Sequence, residues 1–279
     1  MSYKIVVDSC CELPKEYKND PRFEIIPLTL IVGDVYERED NEEFNQREFL
    51  DAVAACPTCP KSACPSPERY MQAFETDADH VYAVTLSSKL SGSYNSAELG
   101  KRLYCEKYGE KDIYIVDSKS ASCGETQLAF KIAEWEDAGI PFAEITERIE
   151  DYVKNMNTYF VLENLDTLRK NGRLSGVKAF VASTLNIKPV MGADTGSIIQ
   201  LGHGIGMKKA LAKMAEFALK DAVAPETKRL MISHCNNPKG AACVRELLEK
   251  KTQFKDVLIM DTAGISSMYA NDGGVILTI

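Results

Sequence analysis

The sequence has no run of about 18 apolar residues and no block of lysine or arginine dense enough to follow a phosphate backbone. A membrane span and sequence-independent nucleic-acid binding are therefore not expected. The formal net charge of -8 reads as a device for solubility. The N-terminus lacks the basic, apolar and small-residue order of a signal peptide, so the expected compartment is the cytoplasm. A disulfide framework is also unlooked-for: nine cysteines are an odd number, and without an export signal they are expected as free thiols. Gly-x-Ser-x-Gly and Gly-x-Gly-x-x-Gly are both absent, and with them the usual local signatures of a serine hydrolase elbow and a dinucleotide site.

What is present is an ordinary globular balance, 45% hydrophobic and 27% charged, over 279 residues, which suits two domains. The first part alternates short apolar runs with helical periodicity, the pattern of parallel strands joined by helices. Lys4–Val7, His80–Leu86 and Ile113–Val116 read as strands, and Arg47–Ala54, Pro67–Phe74 and Tyr94–Leu103 as helices. Ser66 before Pro67 predicts an N-cap followed by the first helical turn. A helix from about Gly124 carries a Leu128, Ile132, Trp135 stripe, and the next, after Pro141, carries Ile145, Ile149 and Val153. Phe23–Tyr36 is β-branched, and it follows the first strand too soon for a helical crossover; it predicts an edge strand or hairpin. Near Thr158 the character changes, and Tyr159–Val161, Ile198–Leu201, Leu230–Ser233, Val257–Met260 and Val275–Thr278 predict a second sheet. The expected domains are 1–157 and 158–279.

Chemistry is concentrated where strands give way to helices. Thr85–Ser96 is a hydroxyl-rich passage in which a helix start offers free N–H groups to an anion, and Gly92 permits close approach to the backbone. Ser91 or Ser93 acting only as a helix cap is the alternative. Lys61–Pro67 reads as a second hydroxyl-rich turn in which Ser62 and Ser66 each offer a hydroxyl to a ligand, Ser66 being better explained as the cap. Cys56, Cys59 and Cys64 look like half a metal site, but no fourth ligand follows at the usual spacing and His80, His203 and His234 are far apart, so no metal is expected. Gly202–Gly206 reads as a glycine-rich connection into a helix carrying Met207, Leu211, Met214 and Ala218. Lys208 and Lys209 are expected in solvent.

Taken in order, Val7-Asp-Ser9 with Glu12-Leu-Pro14, Pro65-Ser-Pro67, Leu86-Ser-Ser88 with Leu90-Ser-Gly92 and Tyr94, Val116-Asp-Ser118, Leu165–Arg169 with Asn171-Gly-Arg173, Leu185–Pro189 and Lys208-Lys-Ala210 resemble the DegV-type fatty-acid-binding proteins across nearly the whole chain. The resemblance implies an N-terminal parallel-sheet α/β domain, a C-terminal α+β domain and a lipid between them. It implies a long-chain fatty acid as ligand, no cofactor, no catalysis by the chain itself, and a separate ATP-dependent fatty acid kinase that phosphorylates the carboxylate. Carried onto this sequence, Ser62, Ser91 and Gly92 would hold the carboxylate, with Tyr269 and His203 beside it. Three departures stand out: Ile205 where many members have Arg, Tyr269 for a His, and Cys64 for a Gln. The rival expectation is an enzyme acting on a small carboxylated or phosphorylated metabolite in the same crevice, which a short polar pocket would favour over a long apolar one.

Overall fold

The computed structural model describes residues 1–174 and 186–279. Leu185, which opens one of the family-like motifs, lies outside the described residues. In chain order the first half runs β1 (Tyr3–Asp8), α1 (Lys15–Lys18), β2 (Phe23–Ile26), β3 (Thr29–Val32), β4 (Tyr36–Glu39), α2 (Gln46–Ala55), β5 (Lys61–Ala63), α3 (Pro67–Phe74), β6 (His80–Thr85), α4 (Ser93–Tyr108), β7 (Asp112–Asp117), α5 (Cys123–Asp137) and α6 (Phe142–Asn155). It continues with β8 (Thr158–Val161), α7 (Asp166–Lys170), β9 (Ile187–Asp194), β10 (Ser197–Ile205), α8 (Met207–Asp221), β11 (Arg229–His234), α9 (Pro238–Glu249), β12 (Asp256–Asp261), α10 (Gly264–Ala270) and β13 (Val275–Thr278). No helix among the described residues is long and apolar enough to cross a membrane.

The fold is α/β. An N-terminal sheet ordered β2-β1-β6-β7 is wholly parallel, as the unbroken apolar run of β6 requires of a strand covered on both faces. A mixed six-stranded sheet ordered β10-β9-β8-β13-β11-β12 follows, and a small antiparallel sheet, β4-β3-β5, flanks the first. Period-two alternation assigns the faces of the second sheet. Leu230, Ile232, Val275 and Leu277 pack outward on α8 and α9, whereas Met231 and Ile276 join a core shared with the first sheet. Val6, Val81, Ala83 and Ile115 face α3 and α4 on the other side of the first sheet.

The layer between the two sheets is α5, with α6 packed beside it and against β7. Helix α5 contacts β1 and β6 on one side and β11 and β13 on the other. It is therefore buried almost all round, not along the single stripe that Leu128, Ile132 and Trp135 suggest, and Trp135 is only half-buried.

Three local expectations are corrected. Residues 9–22 do carry a parallel crossover from β1 to β2, because one helical turn, α1, suffices to reverse the chain. Ser62 lies on a strand, not in a turn: β5 is created by pairing with β3, Leu30 opposite Ser62. The 202–206 glycines belong mostly to the end of β10, where Gly204 lets the strand pass against the backbone of Ala210. Ser66 is the N-cap of α3 as expected, accepting the Arg69 N–H at 3.4 Å.

Candidate functional site

The site is built at the carboxyl ends of the parallel strands, where an open α/β sheet offers its crevice. Asp8, at the end of β1, accepts the N–H of Leu86 at 2.9 Å, and Asp117, at the end of β7, accepts that of Ser88 at 3.0 Å. Two strand-end carboxylates thus fix the loop between β6 and α4. Leu90 and Ser91 then turn back onto the Ser87 carbonyl, which delivers Ser91 to the cavity.

The cavity leaves about 90 Å³ for the centres of water-sized molecules and is open to solvent. One wall is Leu28, Leu86 and Leu90 from the first half. Phe160, Leu162, Ile198 and Ile276 from the second sheet and Ile265 and Ala270 of α10 line the cavity as well. Hydroxyls interrupt this aliphatic lining at Ser62, Ser91, Ser120, Ser122, Thr158 and Ser266. Ser120 Oγ and Thr158 Oγ1 satisfy each other at 2.7 Å, and Ser122 Oγ donates to the buried Glu12 at 2.6 Å. Ser62 and Ser91 are thereby set apart, because both lie beside the two groups that make the cavity's charged end, Arg173 and Tyr269.

Arg173 is held by its Nε, which donates to the Leu90 carbonyl at 3.1 Å, with its guanidinium 5.9 Å from the centre of the Tyr269 ring. Burial pushes the Tyr269 phenol above its ordinary range, against the opposing pull of the neighbouring Ser62 hydroxyl and the Arg173 charge. Tyr269 rides on α10, whose first N–H groups, Gly264 and Ile265, both donate to Asp40 at 2.8 Å. Burial raises that carboxyl to about 6.

Of the residues expected at the head group, the structure brings Ser62, Ser91 and Tyr269 to one cavity. Gly92 stands just outside its lining as the N-cap of α4, and a Cβ there would come within 2.9 Å of Cys64 Sγ. His203 does not belong to the site. It is exposed on β10 opposite Pro189, and the five extended residues from Ile198, at about 3.3 Å each, carry it away from the cavity. Neither Ser91 nor Ser93 is the cap of α4, which is Gly92; Ser91 Oγ instead accepts the Ser93 N–H at 3.2 Å and lies 3.1 Å from Ser93 Oγ. Arg173 and Lys119 are the cations that residue-by-residue reading passed over, although Arg173 closes the Asn171-Gly-Arg173 motif.

Cys56, Cys59 and Cys64 take separate neighbours: Thr58 Oγ1 at 3.1 Å, the Asn171 amide at 3.8 Å and Ser96 Oγ at 3.9 Å. Among the described residues no three His, Cys, Asp or Glu side chains are grouped to hold a metal.

Beneath the cavity floor lies a set of buried acids. Glu12 accepts from Ser122 and from Ser233 at 3.2 Å, and burial raises it to about 7. Asp8 and Glu125 are wholly buried and are also raised, first of all by burial.

Fold and site together define an α/β protein whose halves enclose a mainly apolar cavity with Arg173 at its polar end. The chain belongs to the DegV family: the family model, described as "Uncharacterised protein, DegV family", matches residues 2–277. A DegV domain-containing protein of Streptococcus gordonii is 35% identical over 281 residues, covering 99% of this chain and 98% of the relative. Among solved structures, a DegV-family protein from Ruminococcus gnavus refined with vaccenic acid superposes with a TM-score of 0.97 at 50% identity, over 100% of this chain and 99% of that one. The Streptococcus pneumoniae fatty acid kinase B3 protein loaded with linoleic acid gives a TM-score of 0.89 at 32% identity, over 100% and 99% of the two chains.

Proposed function

We propose that this chain is a non-catalytic carrier that holds one long-chain fatty acid in the cavity and presents its carboxylate to a separate ATP-dependent fatty acid kinase. The observation that carries the reading is the cavity itself, mainly apolar in its lining and furnished with Ser62, Ser91, Arg173 and Tyr269. Each methylene buried there contributes roughly 0.8 kcal/mol, so the chain supplies affinity and the polar end supplies orientation. Ser62 and Ser91 donate to the carboxylate, the Gly92 N–H at the start of α4 adds the favourable end of a helix dipole, and Tyr269 and Arg173 flank it. The two halves divide at 157/158, so the lipid lies between an α/β unit and an α+β unit. The vaccenic acid in the Ruminococcus gnavus structure and the linoleic acid in the Streptococcus pneumoniae fatty acid kinase B3 protein support the ligand, and the latter protein supports the kinase.

The test is thermal unfolding of delipidated protein with and without vaccenic acid. A ligand bound only to the native state at 100 times its Kd stabilises by about 2.7 kcal/mol. An unmoved midpoint with saturating acid would refute the lipid reading, and transfer of phosphate from ATP to the bound acid by an added fatty acid kinase would establish the partner.

A further inference from the structure

Two hydroxyls of the cavity carry one proton more than the protein can use. Ser120, in the loop after β7, and Thr158, the first residue of β8, both line the cavity and are 3% and 8% exposed. Beyond the 2.7 Å bond between Ser120 Oγ and Thr158 Oγ1, their partners run out. Two hydroxyls bring two protons, and that bond takes one. If Thr158 donates, the Ser120 proton has only the Ala121 carbonyl at 3.5 Å, and that oxygen already accepts the Gly124 N–H at 3.1 Å. If Ser120 donates, the Thr158 proton has no acceptor among the described residues. Either way the second proton is left to the cavity that both side chains line. Ser122, by contrast, gives its proton to Glu12 at 2.6 Å.

The fold makes room for this pair. Ser120 Oγ lies over Gly124 of α5, where a Cβ would come within 2.0 Å of it, so the helix forgoes a side chain to house the hydroxyl. The Ser120 carbonyl accepts the Ser87 N–H at 2.9 Å, and the Ser87 carbonyl accepts the Ser91 N–H at 3.0 Å. The pair is thereby held one turn of chain away from Ser91, apart from the head-group end. Against a plain acyl chain its spare proton faces methylene groups and loses the bond that water would give it. An oxygen on the chain removes that cost by accepting the proton. A keto oxygen does so as an acceptor only, and a ligand hydroxyl can also return its own proton to a lone pair of Ser120 or Thr158. We propose that Ser120 and Thr158 form a second polar station in the cavity, selecting long-chain fatty acids that carry a hydroxyl or keto oxygen along the chain. This proposal rests on the fatty-acid reading above.

The experiment measures Kd for stearic acid and for hydroxystearic and oxostearic acids with the oxygen at successive positions along the chain. The proteins are delipidated wild type, Thr158→Val and Ser120→Ala. The quantity compared is the Kd of stearic acid divided by that of each derivative, which cancels any change that acts on all acyl chains alike. Where the oxygen reaches the pair, this ratio in wild type should exceed that in either variant by about two- to tenfold, the worth of one neutral hydrogen bond. Where the oxygen lies elsewhere, the ratio should be the same in all three proteins. Thr158→Val keeps the shape of the side chain, and if it does not fold, Ser120→Ala carries the same comparison. An effect confined to the hydroxy or the oxo series upholds the station and identifies the oxygen it takes. Equal ratios in the folded proteins at every position overturn the station and leave the carrier reading standing. Failure of wild type to bind stearic acid and every derivative overturns the lipid reading and the station together.

Discussion

Ser91 does two things with one oxygen. Its lone pair receives the Ser93 N–H, and its proton is available to a ligand. Ser91→Ala is accordingly expected to weaken fatty-acid binding ten- to a hundredfold through one lost charge-assisted bond, and to lower stability by about 1 kcal/mol through the lost acceptor for the Ser93 N–H. Ser62 has no such duty, so Ser62→Ala should weaken binding by a similar or smaller factor with stability unchanged. Titration and urea unfolding on the same preparations separate the effects. Glu12 makes a different prediction. Its folded carboxyl, at about 7, holds its proton to a higher pH than the ordinary 4.5 of the unfolded chain. Its stabilising contribution is complete below pH 4.5, is lost as pH rises towards 7, and is flat above. The loss is about 3 kcal/mol at most. Glu12→Gln should flatten that part of the melting-temperature profile. At this scale the sequence made the serines visible because hydroxyls cluster at a strand end. It could not show Arg173 at the cavity or His203 away from it, since both placements depend on how far a loop or strand runs in space.

The helices that bracket the polar end, α3 and α4, approach closely at Gly100. A Cβ there would come within 2.7 Å of both the Pro67 carbonyl oxygen and Tyr70 Cβ. Gly100→Ala should therefore cost about 1–3 kcal/mol in urea unfolding, because the contact is with backbone and a fixed Cβ and cannot be relieved by a rotamer. Helices with caps and stripes are legible in the sequence: α3 spans the expected Pro67–Phe74, and α6 and α8 bury the expected faces. Elements made by tertiary pairing are not. β5 is three residues between prolines, and β9 contains Pro189 and Gly192, which argue against a strand. Yet β9 pairs with β8 only at Gly192 and Met191, so Pro189 sits where no N–H is wanted on that side. Gly192 leaves room for Leu201 from β10.

At the scale of the molecule, the two sheets share one core through α5, and the cavity is a gap in that core. The second sheet reaches across it with the β9–β10 hairpin, whose two-residue turn, Thr195 and Gly196, has the positive φ values of 48° and 86° that suit a tight hairpin. Gly196 accepts a hydrogen bond from Ser87 Oγ at 2.9 Å, tying the hairpin tip to the loop that carries Ser91. This tie has a consequence for time as distinct from affinity. An enclosed acyl chain departs at the rate at which a wall opens, so residence is governed by the tip and not by the bonds to the head group. Ser87→Ala is expected to hasten release of a bound fluorescent fatty acid in stopped-flow experiments. Ser91→Ala, by contrast, should alter how much is bound while leaving the opening rate of the wall as it was.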